Sequence, residues 1–377
     1  MRPAIEELLA SNPDAAKVQA FLNGRRVPIV EGPSVTFVWR GQADAVNLRH
    51  WIYGLESSTS LARVDGTDLW YLTLEIPRGS RVEYKYEIFQ GGNGTWIEDP
   101  LNPNRARDPF GANSVLQGEG YEPPGWTRFD STARSGSVER LDFDSRLLGH
   151  RTGHIYLPAR FRRSRQYPLL VVHDGSDYLN YAGMKVILDN LIHRLEIPDL
   201  IVAFIDSPDR LREYAADENH SRFLTEELAP DLARRFPLID RAQARCLMGA
   251  SFGAVASLAA AWRAPGYWGR LLLQSGSFAF TDIGRRNRRG PLFDHIVEFV
   301  NAYRDQPKPV SERIFVSCGV YESLIYENRS LVPLLTATGM EVRFVEARDG
   351  HNWENWRDRL REGLSWLYPG PLLFVYE

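Results

Sequence analysis

Three patterns of apolar and polar positions follow one another along the chain. Up to about residue 30, Ile5, Leu8 and Leu9, then Val18, Phe21 and Leu22, recur at the spacing of one helix face. That spacing predicts a short helical lead, residues 1–30, whose task is packing. From Val35 to about Leu116 the period drops to two: residues 35–39, 69–76 and 82–88 alternate apolar with polar, with Gly, Pro and Asp between the runs. Alternation of this kind gives antiparallel strands with one buried face, and residues 31–120 read as an immunoglobulin-like β-sandwich. A Pro- and Arg-rich passage runs from Asp99 to Trp126, and residues 121–136 read as a linker. Beyond residue 137 short β-branched runs at 154–157, 169–173, 200–205, 244–248, 270–274, 313–318 and 342–346 alternate with helical stretches near 184–195, 222–235, 253–263, 292–303, 327–338 and 353–367. This predicts an α/β fold for 137–377, a mostly parallel sheet with helices on both faces. Reactive groups in such a sheet belong on the loops at the strands' carboxyl ends.

Composition narrows the function classes. The chain has 377 residues, 44% hydrophobic and 25% charged, ordinary for globular proteins. Its 45 basic and 48 acidic residues give a formal net charge of −3, too little for a field that gathers nucleic acid or acidic membranes. Cys246 and Cys318 each end an apolar run, the setting of buried thiols, so no disulfide framework is expected. The acidic opening carries no continuous apolar stretch and no run of about eighteen apolar residues occurs, so the expectation is a cytoplasmic protein without membrane spans. No repeat, metal-ligand motif or nucleotide-binding glycine loop stands in the chain, and neither cofactor nor metal is expected.

The strongest chemical signal is Gly249-Ala250-Ser251-Phe252-Gly253, between a strand and the small-residue run Ala254-Val255-Ala256. A sharp strand-to-helix turn exposes the serine oxygen, and only small neighbours fit the crowded backbone on either side. The helix start adds positive dipole near the developing oxyanion. Ser251 needs a general base. Of the eight histidines, only His351 follows the last strand, sits in a turn and precedes a helix, whereas His295 falls inside a helix and reads as structural. The acid that orients His351 should follow the strand 313–318; Glu322 is the first carboxylate there, with Glu327 and Asp349 as rivals. The oxyanion hole would take the backbone N–H of Phe252 and one from Gly175 or Ser176, in the loop after 169–173. Asp174 and Asp177 are candidates for contacting substrate or for simple turn formation. Arg285, Arg286, Arg288 and Arg289 form a basic cluster after 270–274, a candidate for holding an anionic substrate. Trp39, Trp51, Trp70 and Trp96 alternate along the sandwich, as core residues or as a sugar platform.

On these residues the chain resembles the enterochelin esterase family, within the esterase D group of α/β-hydrolases. The resemblance includes residues 35–41, Gly66-Thr67-Asp68-Leu69-Trp70 and Asp99-Pro100-Leu101-Asn102-Pro103 in the sandwich. Further on it includes Tyr156-Leu157-Pro158, the Asp174-Gly175 loop, Arg212-Glu213-Tyr214 with Asn219, Gly249 to Gly253, and Gly350-His351-Asn352-Trp353 with Trp356-Arg357. It implies a cytoplasmic serine esterase that cleaves cyclic catechol siderophores, ferric complexes among them, with Ser251, His351 and an acid near Glu322 as triad and the sandwich helping to form the substrate site. Family members carry a glutamine soon after the Asp-Gly of the oxyanion loop, where this chain has Ser176-Asp177-Tyr178. Two other readings are an esterase of acylated sugars, and a siderophore- or glycan-binding protein without turnover.

Overall fold

In a computed structural model, which describes residues 3–280 and 291–371, the chain forms two compact units. One comprises residues up to Pro123 together with Gly319–Ser323 and Ala347–Asn352; the other comprises Pro124–Cys318, Leu324–Glu346 and the chain from Trp353.

The first unit opens with helices Ala4–Ala10 and Ala15–Leu22, the second capped by the Asp14 carboxylate accepting from Lys17 N. Their apolar faces, Ile5, Leu8, Val18 and Phe21, close over Ile29, Val38, Val64 and Leu69. The sandwich pairs a four-stranded sheet (Ile29–Glu31, Ser34–Arg40, Leu69–Glu75, Ala62–Arg63) with a six-stranded one built around Ala45–His50 and Arg81–Gln90, to which Asn93–Ile97 pairs. Phe37, Trp39, Leu48, Trp70, Tyr84, Tyr86 and Leu116 fill its core.

The second unit is built on one eight-stranded sheet: β1 (Ser137–Ser145), β2 (Gly149–Leu157), β3 (Leu169–His173), β4 (Ile201–Ile205), β5 (Arg245–Ala250), β6 (Arg270–Gln274), β7 (Arg313–Gly319) and β8 (Glu341–Ala347). Their spatial order is β1-β2-β4-β3-β5-β6-β7-β8, with β1 and β2 antiparallel and β4, β3, β5, β6 and β7 parallel. This is the α/β-hydrolase arrangement that the alternation predicts. β3, β4 and most of β5 to β7 are buried on both faces, which is why they read as continuous apolar runs. Helices cover both faces, and the two cores they seal meet the sheet from opposite sides, one around Leu247, Leu271 and Ile314, the other around Val172, Met248 and Phe315.

β1 is a strand that the apolar pattern does not announce. Leu141, Phe143 and Ser145 share one phase while Val138 falls in the other, and four of its nine residues are charged, so the period-two signal dissolves. Its antiparallel pairing with β2 over nine rungs holds it. The helical region near 222–235 likewise contains a π-turn, Phe223–Leu228, between two α-helical pieces.

Candidate active site

Ser251 stands at the carboxyl end of β5 with φ 57° and ψ −118°, and Phe252–Arg263 is the helix that follows. A Cβ on Gly249 would meet the Gly253 carbonyl carbon at 2.4 Å, and one on Gly253 would meet the His173 Cβ at 3.1 Å. Steric exclusion therefore accounts for both glycines of the pattern. The turn is pinned by Ser251 N–H donating to the Gln274 carbonyl (2.9 Å), and the Ser251 hydroxyl lies 3.3 Å from that of Ser277. Beneath it, Gln274 is buried, accepting from Tyr178 Oη at 2.7 Å and donating to the Trp356 carbonyl at 2.8 Å.

The loops after β7 and β8 bring Glu322 and His351 together. His351 Nδ1 lies 2.6 Å from Glu322 Oε2, while Gly319 N–H donates to Glu322 Oε1 at 2.7 Å. Glu322 is buried and the His351 side chain is partly exposed. An ionised carboxylate can only accept, so Nδ1 carries the proton and Nε2 is left as the basic nitrogen, the tautomer a serine hydrolase requires. The rival Asp349 is committed elsewhere. Its carboxylate takes the buried Arg81 guanidinium (3.1 Å), Asn352 Nδ2 (2.8 Å) and the Gly350 N–H (2.7 Å). Burial pushes its carboxyl up to about 6 even against Arg81. Glu327 lies buried in the helix Ile325–Ala337.

The loop after β3 is shaped by ion pairs. Asp174 takes up φ 53°, and Arg210 grips its carboxylate with two hydrogen bonds of 2.7 Å. The same guanidinium lies 5.8 Å from the Phe252 ring centroid. Gly175 packs so closely on β4 that a Cβ would stand 2.5 Å from the Phe204 Cα. Ser176 donates its amide to Asp206 Oδ1 at 3.0 Å and its hydroxyl to Asp206 Oδ2. Of the two amides that the sequence offers in this loop, the Ser176 N–H is thereby occupied. Asp177 is half-buried, and burial with the nearby Asp174 and Asp206 carboxylates pushes its own up to about 6. The arginines Arg285, Arg286, Arg288 and Arg289 lie outside the described residues.

Sequence reasoning missed the layer under the elbow. His173 Nδ1–H donates to the Met248 carbonyl (3.0 Å), so its Nε2 is an acceptor and His220 Nε2 at 3.0 Å must be the donor. Both rings are buried. Desolvation lowers His173 to about 4 and His220 well below the usual imidazole value, so both are neutral. A buried neutral histidine beneath a nucleophile carries no local sequence signature.

Residues 145–367 match the family described as putative esterase, and residues 34–126 the one described as enterochelin esterase, N-terminal. The chain belongs to the enterochelin esterase-like family. It is accordingly a carboxylic ester hydrolase. The iron(III) enterobactin esterase of Escherichia coli O6:H1 is 25% identical over 372 residues, covering 89% of this chain and 91% of that protein. That of Dickeya dadantii is 26% identical, covering 82% of this chain and 79% of its own length. In fold, the ferric enterobactin esterase of Salmonella typhimurium superposes with a TM-score of 0.74 at 23% identity, over 89% of this chain and 93% of that one. Among the described residues no helix is long and apolar enough to cross a membrane, and no group of three or more His, Cys, Asp or Glu is placed to hold a metal ion.

Proposed function

We propose that this esterase hydrolyses the ester bonds of a siderophore-like catechol substrate, enterobactin or a relative of it, free or as the ferric complex, in the cytoplasm. The observation that carries the mechanism is the His351–Glu322 hydrogen bond of 2.6 Å on the loops after β7 and β8, in a sheet whose β5 ends at a strained serine. Ser251 Oγ attacks the ester carbonyl as His351 Nε2 takes its proton, and Glu322 stabilises the imidazolium that results. The amides of Phe252 and Gly175 bind the oxyanion. Collapse of the tetrahedral intermediate expels the alcohol, which receives the proton from His351. Water then enters by the same route in reverse, and Ser251 is released with the free acid. The substrate class rests on the relatives, which are named as esterases of iron(III) enterobactin and align along most of this chain.

The test is hydrolysis of enterobactin and its ferric complex, with chromatography of the released catechol-serine units. Release that falls at least about 10³-fold in Ser251→Ala is the expected result. Turnover of p-nitrophenyl acetate with none of enterobactin would retain the hydrolase and overturn the substrate.

A further inference from the structure

The four sandwich tryptophans divide into two pairs. Trp39 and Trp70, each 7% exposed, are core. Trp51 and Trp96 stay 50% and 45% exposed, and Tyr53, two residues after Trp51, is also 50% exposed. One apolar side chain in water needs no explanation, but a group of large rings on one patch does.

These rings are held in place. Trp96 Nε1 donates at 3.0 Å to Glu87, its cross-strand partner, and the Arg49 guanidinium sits 4.6 Å from the Trp96 ring centroid. With one face taken by that cation, Trp96 offers the other face and its edge. The Trp51 ring stands 6.5 Å away, inclined by 59°. The segment carrying Trp51 is fastened on either side, by Ile52 N–H donating to His50 Nδ1 at 3.2 Å and Tyr53 N–H donating to the Tyr321 carbonyl at 2.7 Å. Tyr321 immediately precedes Glu322, the residue that holds His351, and all of these belong to the same compact unit. The aromatic patch is thus tied by a backbone hydrogen bond to the loop of the acid–base pair.

We propose that Trp51 and Trp96 form a subsite that holds a flat aryl group of the ester substrate. The angle between the rings favours this occupant. Sugar platforms set aromatic rings along a flat surface so that pyranose faces lie across them, whereas rings inclined by 59° make a corner that meets an aryl ring by face and by edge. The proposal rests on the catechol-ester reading above and extends it to named residues outside the triad.

Trp51→Ala and Trp96→Ala are assayed on a 2,3-dihydroxybenzoyl-serine ester and, by pH-stat, on methyl butyrate, which has no aryl group. The ratio of kcat/KM for the aryl ester to that for methyl butyrate is expected to fall about tenfold, through KM, with phenylalanine at either position restoring most of it. An unchanged ratio overturns the subsite. A second arm is independent of turnover: the Ser251→Ala protein is titrated with dihydroxybenzoyl-serine and with maltohexaose while tryptophan fluorescence is followed. Quenching by the aryl ligand that disappears on adding Trp96→Ala supports the subsite even where no catechol ester is turned over, in which case only the substrate reading falls. Quenching by maltohexaose alone, or by neither, overturns the subsite.

Discussion

Among the turns of the catalytic sheet that put a non-glycine residue into the left-handed region at a strand end, those at Ser251 (φ 57°) after β5 and at Asp174 (φ 53°) after β3 are held by opposite means. The elbow is held by exclusion. A Cβ at either glycine would run into atoms already there, so the requirement falls two residues either side of the serine. The Asp174 turn is held by charge, from Arg210, 36 residues away, and the Ser176 that follows is held by Asp206, 30 residues away. A steric demand is written locally and can be read from five letters. A charge demand is written wherever the fold returns the partner, and no spacing rule finds it.

Breaking the steric turn should have the larger effect. Gly249→Ala sets a Cβ against the Gly253 backbone, so the elbow must move, and kcat/KM for p-nitrophenyl acetate should drop at least about a hundredfold. Wild-type activity in this variant would mean that the elbow relaxes freely. Arg210→Ala leaves Asp174 buried without its cation while the Gly175 contact with Phe204 persists, so the loop shifts rather than collapses. The expectation is about a tenfold loss in kcat with little change in KM, read by steady-state kinetics. A loss as great as that of Gly249→Ala would mean that charge, not shape, dominates both turns.

The smallest effect concerns the neutral histidines below the elbow. Above about pH 6.5 His173 is neutral in both folded and unfolded chain and contributes no pH dependence. As pH falls from about 6.5 towards 4, the unfolded chain takes up a proton that buried His173 refuses, so stability is lost over that window, by about 3 kcal/mol at its lower end. Calorimetry between pH 7.5 and 4.5 should show Tm falling on the acid side. A flat profile would contradict the neutral, buried pair.

The sheet was legible because its central strands are buried on both faces, and the elbow because sterics fix its letters. Glu322 stood out by lying first after β7, and the structure adds why Asp349 is not the partner: Arg81, 268 residues earlier in the chain, holds it. That pairing, the Asp206 claim on the Ser176 amide and the His173–His220 contact are long-range hydrogen bonds between polar residues with no periodicity, so they were invisible. The tryptophans were ambiguous for a related reason. Alternation marks Trp39 and Trp70 as core, while Trp51 lies beyond its strand's end and Trp96 on a strand of largely exposed residues, where alternation no longer reports burial.

In the proposed mechanism Ser251, activated by His351, is the nucleophile. The most direct test is peptide mapping by mass spectrometry after treatment with a fluorophosphonate, alongside labelling rates. One phosphonyl adduct on the peptide bearing Ser251, forming at least about a hundredfold more slowly in His351→Ala, is the predicted result. An adduct on another residue, no adduct at all, or an undiminished rate in His351→Ala would contradict it.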